Sequence, residues 1–262
     1  LHVEGKAEEA MDISGRLLAS VAAADGKVTL RVANRLFGER SYTFEKPFLE
    51  VMSKDFAAPL EPVDYRGAAE DARVRINGWV ETQTEKRIVD LLGPGAIGDD
   101  TRLTLVNALY FLGEWVVPFQ PRSTEFSEFS ITKSQKKDVP TMRLKTSAQY
   151  AEKDGVLALE LPYKGSASML FVLPKDPDGI DALEKSLTQK KIDALSGALS
   201  MKFVDIALPK FTIQPGSALE LGDALKALGM RSAFDKRTAD FTGIADPADR
   251  DDRICIGEVV HK

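Results

Sequence analysis

One cysteine and two histidines are all that 262 residues offer in the side chains most used for metal ligation, nucleophilic attack and proton shuttling. The lone Cys255 excludes an internal disulfide framework and any zinc site built from several cysteines. Its place in an apolar run marks it as a small packed side chain rather than a reactive thiolate. No G-x-S-x-G, H-E-x-x-H or G-x-x-x-x-G-K-[ST] occurs, so a triad hydrolase, a zinc protease and a P-loop enzyme each lack their signature. No stretch approaches the roughly 20 apolar residues that cross a bilayer. The first residues form no basic-then-apolar leader, though a chain beginning at Leu1 carries no conclusion about export. Blocks of like charge are also missing: 40 acidic and 35 basic residues are interspersed to a net −5, which gives neither nucleic acid nor an anionic membrane an electrostatic footing. The partners left are proteins or small molecules.

What is there is a globular alternation of helix and strand signals, with 44% hydrophobic residues. Apolar residues recur at helical spacing from Glu4 to Ala23 and stop at Asp25-Gly26. "KVTLRVANRLFGE" alternates as a strand, Pro47 opens a short helix through Phe56, and Pro59 and Pro62 flank a brief extended piece. The longest helical pattern runs over 68–93 and stops at Gly93. The strand expected over 101–119 is almost continuously apolar, the pattern of a strand covered on both faces. Short β runs follow from Phe126 to Pro174, two short helices over 179–199, a strand over 203–213 and a helix over 217–230. The β-branched run from Ile254 to Val260 reads as a buried strand. No internal repeat or linker interrupts this order, so a single interwoven α+β domain over 1–262 is the economical reading.

"GPGAIG", Gly93–Gly98, has the letters of the dinucleotide fingerprint in the wrong context. That fingerprint needs a strand before it and a helix after it, whereas here a helix precedes and a strand follows, and Pro94 removes a backbone donor. The expectation is a plain turn. The paired acids at 8–9, 99–100 and 251–252 read as solvated ends of elements rather than acid/base pairs. A lone histidine closing an apolar strand, His261, is by default a satisfied core residue.

Larger patterns change that default. "LVNALYFLGEWVVPF" (105–119) followed by Thr124 and "FSEF" resembles the serpin signature. "INGWVETQTEKRIVDLL", "LELPYKGSASMLFVLP", "IALPKFTI", "LKALGMRSAFD", "ADFTGI" and "GEVVHK" fall in serpin order and at serpin spacing. The resemblance covers about residue 30 to 262. It implies the serpin fold, a mixed and mostly antiparallel main sheet with helices and further β-sheets. It also implies that this domain is truncated at both ends, without the first three helices and a strand, and without the reactive-centre loop and the strands after it.

The resemblance further implies an inhibitor of serine, alternatively cysteine, endopeptidases. In that mechanism the cleaved loop inserts into the main sheet as an extra strand and the acyl-linked protease is trapped; the protein is not an enzyme. A non-inhibitory carrier, chaperone or storage protein is the alternative. Asn107 and His261 match the shutter pair that bridges two strands which must part. Trp115 and Lys210 match the breach, where the loop first enters, Lys210 there pairing with a hinge glutamate. Trp79, with Asn77 nearby, lies on the helix that crosses the sheet and must yield. Heparin-type cofactors use basic residues on the early helix, but here Lys6 and Arg16 face Glu4, Glu8, Glu9 and Asp12, so no cofactor and no metal is expected. The expected partners are a target protease and the loop and C-terminal segments of the same protein. The complete protein is expected to be monomeric, and extracellular or secreted, with an intracellular location open.

Overall fold

The computed structural model describes residues 13–16, 28–213 and 216–262. They fall into two compact units, one of 13–16, 30–111 and 216–262, the other of 28–29 and 112–213.

In the first unit, β1 (Val28–Glu39) lies between β2 (Leu60–Val63) and β3 (Leu103–Gly113). β1 and β2 run parallel, with Leu36 opposite Leu60 and Glu39 opposite Val63. A parallel pair requires a crossover, and α1 (Lys46–Asp55) supplies it, opened by a proline in its first turn. Gly38 lets the sheet close on that crossover: a Cβ there would lie 2.7 Å from both Leu60 and the Phe44 ring.

Helix α2 (Tyr65–Gln83) covers the sheet. Its buried Tyr65, Ala72, Ile76, Trp79 and Val80 pack on Phe37 of β1, Val63 of β2, and Val106 and Ala108 of β3. Asp64 caps it by accepting from Gly67 N at 2.8 Å, and its first turn is set off by a non-helical Ala68. The helix ends some ten residues before the expected Gly93. The apolar Ile88, Leu91 and Leu92 still belong to the same core, but they reach it through turns in which Glu85, Lys86 and Asp90 have positive φ. The Asn77 amide holds this return segment by donating to Leu92 O and accepting from Leu92 N, both at 2.9 Å. Gly93–Gly98 follows as turns leading into β3, with Gly95 at φ 81°.

β3 departs from its expected coverage. Val106 and Ala108 are buried toward α2, while Leu105 and Leu109 on the opposite face are 58% and 56% exposed. This unit also holds β9 (Leu219–Glu220), α5 (Gly222–Ala227) and β10 (Val260–His261), with β10 antiparallel to β9. The helix expected over 217–230 is thus reduced to α5. Ile254–Ile256 is half-buried chain rather than strand, anchored by Ile256 N donating to Ala233 O at 2.8 Å. Cys255 in it is half-buried. Of the early helix, 13–16 is helical and the rest of the expectation lies outside the described residues.

The second unit is an antiparallel sheet of β4 (Thr124–Ser130), β5 (Lys136–Lys153), β6 (Val156–Pro162), β7 (Ser168–Pro174) and β8 (Ser200–Pro209). The β5–β6 hairpin turns at Asp154-Gly155, both at positive φ, the arrangement such a two-residue turn requires. β8 pairs with β5 from Thr141 to Tyr150 and begins three residues earlier than the sequence pattern placed it. Helices α3 (Ile180–Ser186) and α4 (Gln189–Ser196) press Leu183 and Leu195 onto Ala151, Val156 and Ala158.

Candidate functional site

The residues singled out in the sequence fall into two pairs, one in each unit. Asn107 projects from β3 on the face away from α2. Its Nδ2 donates to Asn34 Oδ1 at 2.6 Å, and Asn34 Nδ2 donates in turn to Phe56 O at 2.9 Å, just past α1. A polar chain therefore runs from β3 across β1 to the end of the crossover helix. His261 is exposed on β10, opposite Leu219 of β9. The structure thus gives Asn107 a partner other than His261, because β10 takes its strand pairing from β9 while β3 pairs only with β1 among the described residues. The neighbouring Lys262 donates from Nζ to Val89 O at 2.9 Å, on the return segment after α2.

In the second unit Trp115 stacks on Tyr163, ring centroids 4.3 Å apart and 16° from parallel, and meets Phe119 edge-on at 6.3 Å. A backbone bridge to Tyr163 and Val116 N donating to Pro162 O at 3.0 Å fix it there. Trp115 and Leu208 pack on one cluster of Ala148, Leu161 and Ile206. Lys210 stands two residues past Leu208, its backbone N donating to Pro140 O at 2.8 Å and its side chain exposed. It has no ion-pair partner among the described residues.

Electrostatics at the first unit centre on two carboxylates that the sequence reading did not single out. Burial pushes the Glu39 carboxyl up, but donors from Ser41 Oγ (2.5 Å), Ser41 N (3.0 Å), Arg66 N (3.2 Å) and Tyr65 N (2.7 Å) outweigh it and hold it at about 2. Burial likewise acts upward on Glu61, and hydrogen bonds from Arg75 Nε and Arg35 reverse it, leaving the carboxyl below its ordinary value. The Tyr65 hydroxyl, pushed up to about 12 chiefly by burial, lies 2.7 Å from Thr104 Oγ1 and 3.1 Å from Phe37 O. For Glu39 the advance signal was alternation, which puts it on one face of β1 with Phe37 and Arg35.

Among the described residues β3 pairs with β1 alone, and Asn107 stands on the face away from α2 beside that edge. The chain matches the family described as "Serpin (serine protease inhibitor)" over residues 1–262.

The chain belongs to the serpin family.

It is 36% identical to Serpin B10 of Bos taurus over 246 residues, covering 92% of this chain and 62% of that protein. It is 38% identical to human Serpin B3, covering 82% of this chain and 56% of that protein. Human plasminogen activator inhibitor 2 is 33% identical over 269 residues, with 99% and 63% covered. Among solved structures, emu ovalbumin (Dromaius novaehollandiae) superposes with a TM-score of 0.85 at 30% identity, covering 90% of this chain and 61% of that one. A structure titled "Cleaved Serpin 42Da" gives 0.84 at 31% identity. The chain thus spans about three fifths of the serpins it matches, and its mixed helices and several sheets are the serpin fold.

Proposed function

We propose that the whole protein inhibits serine endopeptidases, alternatively cysteine endopeptidases, as a suicide substrate, and that its main sheet contains β2-β1-β3. The observation that carries the reading is the serpin match along all 262 residues. The inhibitor in the name of plasminogen activator inhibitor 2 supports it. In this reading both units belong to one serpin domain, no covalent chemistry is completed by the protein itself, and the target protease is the partner. Adding a strand beside β3 supplies a new row of backbone hydrogen bonds and buries the apolar residues next to it, which is the driving force of trapping.

Asn107 and His261 are the proposed shutter. Asn107 already holds Asn34 through its Nδ2, so its Oδ1 is the atom left to accept from an imidazole on a strand laid beside β3. Trp115 and Lys210 are the proposed breach, with the exposed Lys210 ammonium available to a carboxylate on an entering strand.

The test is incubation of the whole protein with trypsin-, chymotrypsin-, elastase-, subtilisin- and papain-like proteases. A complex at the summed mass that survives boiling in SDS is expected. Clean cleavage without any complex across the panel would overturn inhibition in favour of a carrier, chaperone or storage role.

A further inference from the structure

The long strand β5 carries a gap in one of its edges. Thr141 and Met142 pair with both β4 and β8, and Gln149 and Tyr150 with both β6 and β8, so β4 and β6 share the edge opposite β8. β8 lines its own edge without a break from Thr141 to Tyr150. On the other edge β4 stops at Met142 and β6 begins at Gln149, which leaves 143–148 without a strand partner there among the described residues. The hydrogen-bond pattern says which backbone groups face the gap. Lys210 N, one step past the Thr141–Pro209 pair, donates to Pro140 O at 2.8 Å, so even-numbered residues of β5 bond β8 and odd-numbered ones point the other way. The Gln149–Glu160 pairing extends to Ser147 opposite Pro162, and a proline has no N–H to give. Ser147 O therefore receives no ladder donor, and Thr146 Oγ1 approaches it only to 3.5 Å. Lys145 N and Lys145 O face the gap with no backbone partner among the described residues.

An apolar hole lies against the same stretch. A cavity of about 110 Å³ is lined by Leu144 and Ala148 of β5, Leu161 and Pro162 of β6, and Trp115 and Val117. It is smaller than the roughly 150 Å³ that admits benzene. One branched aliphatic side chain fits it and an aromatic ring does not. The cations of the gap are already paired on the exposed face of β5: Arg143 Nε lies 2.9 Å from Glu125, and Lys145 Nζ lies 3.1 Å from Asp205. What the gap leaves unanswered is main chain and apolar surface, which calls for a neutral occupant with peptide groups.

We infer that the gap in β5 is a peptide-binding site, which takes three residues of an extended segment of a partner protein, antiparallel to 145–147, with a central leucine or valine in the cavity. Residues opposite each other across a ladder turn their side chains to the same side. The central residue, opposite Thr146, enters the cavity with Leu144 and Ala148 as neighbours, because these three share one face of β5. The outer two meet Lys145 and Ser147 through main-chain groups: two N–H groups donate to Lys145 O and Ser147 O, and one carbonyl accepts from Lys145 N. Main-chain bonds supply the affinity and the single pocket supplies the selectivity. The site lies wholly in the second unit and does not depend on whether the protein inhibits a protease.

Methyl NMR of the whole protein, labelled at leucine and valine, tests it with acetyl-glycyl-leucyl-glycine methylamide as the probe. The methyls of Leu144, Leu161, Val116 and Val117 should shift saturably, with half-saturation on the order of 1 mM for so small a ligand. Replacing the probe's leucine by alanine should weaken binding about tenfold or more, since it empties the cavity. Replacing its last glycine by N-methylglycine should weaken binding about fivefold, since the donor to Lys145 O is lost. Absence of saturable shifts at about ten times the expected half-saturation overturns the site. Unchanged affinity of the N-methyl probe would leave only an apolar hole, and unchanged affinity of the alanine probe only a bare strand edge; either result overturns it. Shifts confined to Leu105 and Leu109 would put the peptide on β3 and overturn it as well.

Discussion

A carboxylate only 2% exposed needs donors around it, and Glu39 has the hydroxyl and amide of Ser41 and the first two amides of α2. Its folded value of about 2 lies below the ordinary 4.5, so protons bind the unfolded chain more tightly. The stability it contributes is whole above about 4.5 and is lost as pH falls from there toward about 2. Melting curves across this window should show wild type losing stability on acidification, and Glu39→Gln should be less stable at neutral pH with a shallower acid loss. Parallel acid profiles would show that Glu39 is not charged in the fold. The shutter assignment has its own residue-level test. The sequence contains three asparagines, Asn34, Asn77 and Asn107, and the first and last are bonded to each other. In the whole protein, His261→Ala should shift either the melting temperature or the rate of spontaneous loop insertion, and Asn34→Ala should move the same quantity, since it deprives the Asn107 amide of its acceptor. If both quantities stay at wild-type values in His261→Ala, Asn107 and His261 are not a shutter.

At the scale of elements, α2 and its return segment depend on one side chain. Asn77→Ala would leave the buried Leu92 N without its acceptor and remove one of two donors to Leu92 O, the other being Arg73 Nη1 at 2.7 Å. The expected loss is about 1–3 kcal/mol, with faster proteolysis confined to 84–92. A melting temperature within error of wild type would mean that the segment is held by Ile88, Leu91 and Leu92 alone. This segment also shows where sequence reading stops. Periodicity located α2 and its core-facing Trp79 because burial imposes it. It ran on to Gly93 because residues that reach the same core through turns keep a helix-like spacing. The positive φ of Glu85, Lys86 and Asp90 is the feature a one-dimensional pattern misses, as none is a glycine. β3 misled in the opposite way: a continuous apolar run reports what a strand can be buried against, not which neighbours are present. For the sites, family motifs marked Asn107 and Trp115. The partner of Asn107 was hidden 73 positions away, since a hydrogen bond between strands leaves no local signal.

For the molecule as a whole, the side of β3 that has no strand partner among the described residues sets the expected association behaviour. A strand with an unpaired edge and exposed leucines on one face is a template for another strand, and soluble proteins normally charge, shorten or cover such edges. Among the described residues β3 pairs with β1 alone, Leu105 and Leu109 flank Asn107 on its exposed face, and no charged residue interrupts Leu103–Gly113. The 262-residue chain by itself is therefore expected to self-associate, with sedimentation coefficients that rise with concentration rather than settling at a 28.7 kDa monomer. Leu105→Glu combined with Leu109→Glu should suppress this by placing like charges on facing strands. Neither residue lies on the α2 side, so the double variant should leave the packing around Tyr65, Ile76 and Val80 intact and change melting little. A monomer of the wild-type chain throughout a dilution series would show that β3 is covered in solution by the chain's own residues. The glutamates would then unfold the protein instead of dispersing it, so the sign of their effect separates an edge open to a partner from one already filled.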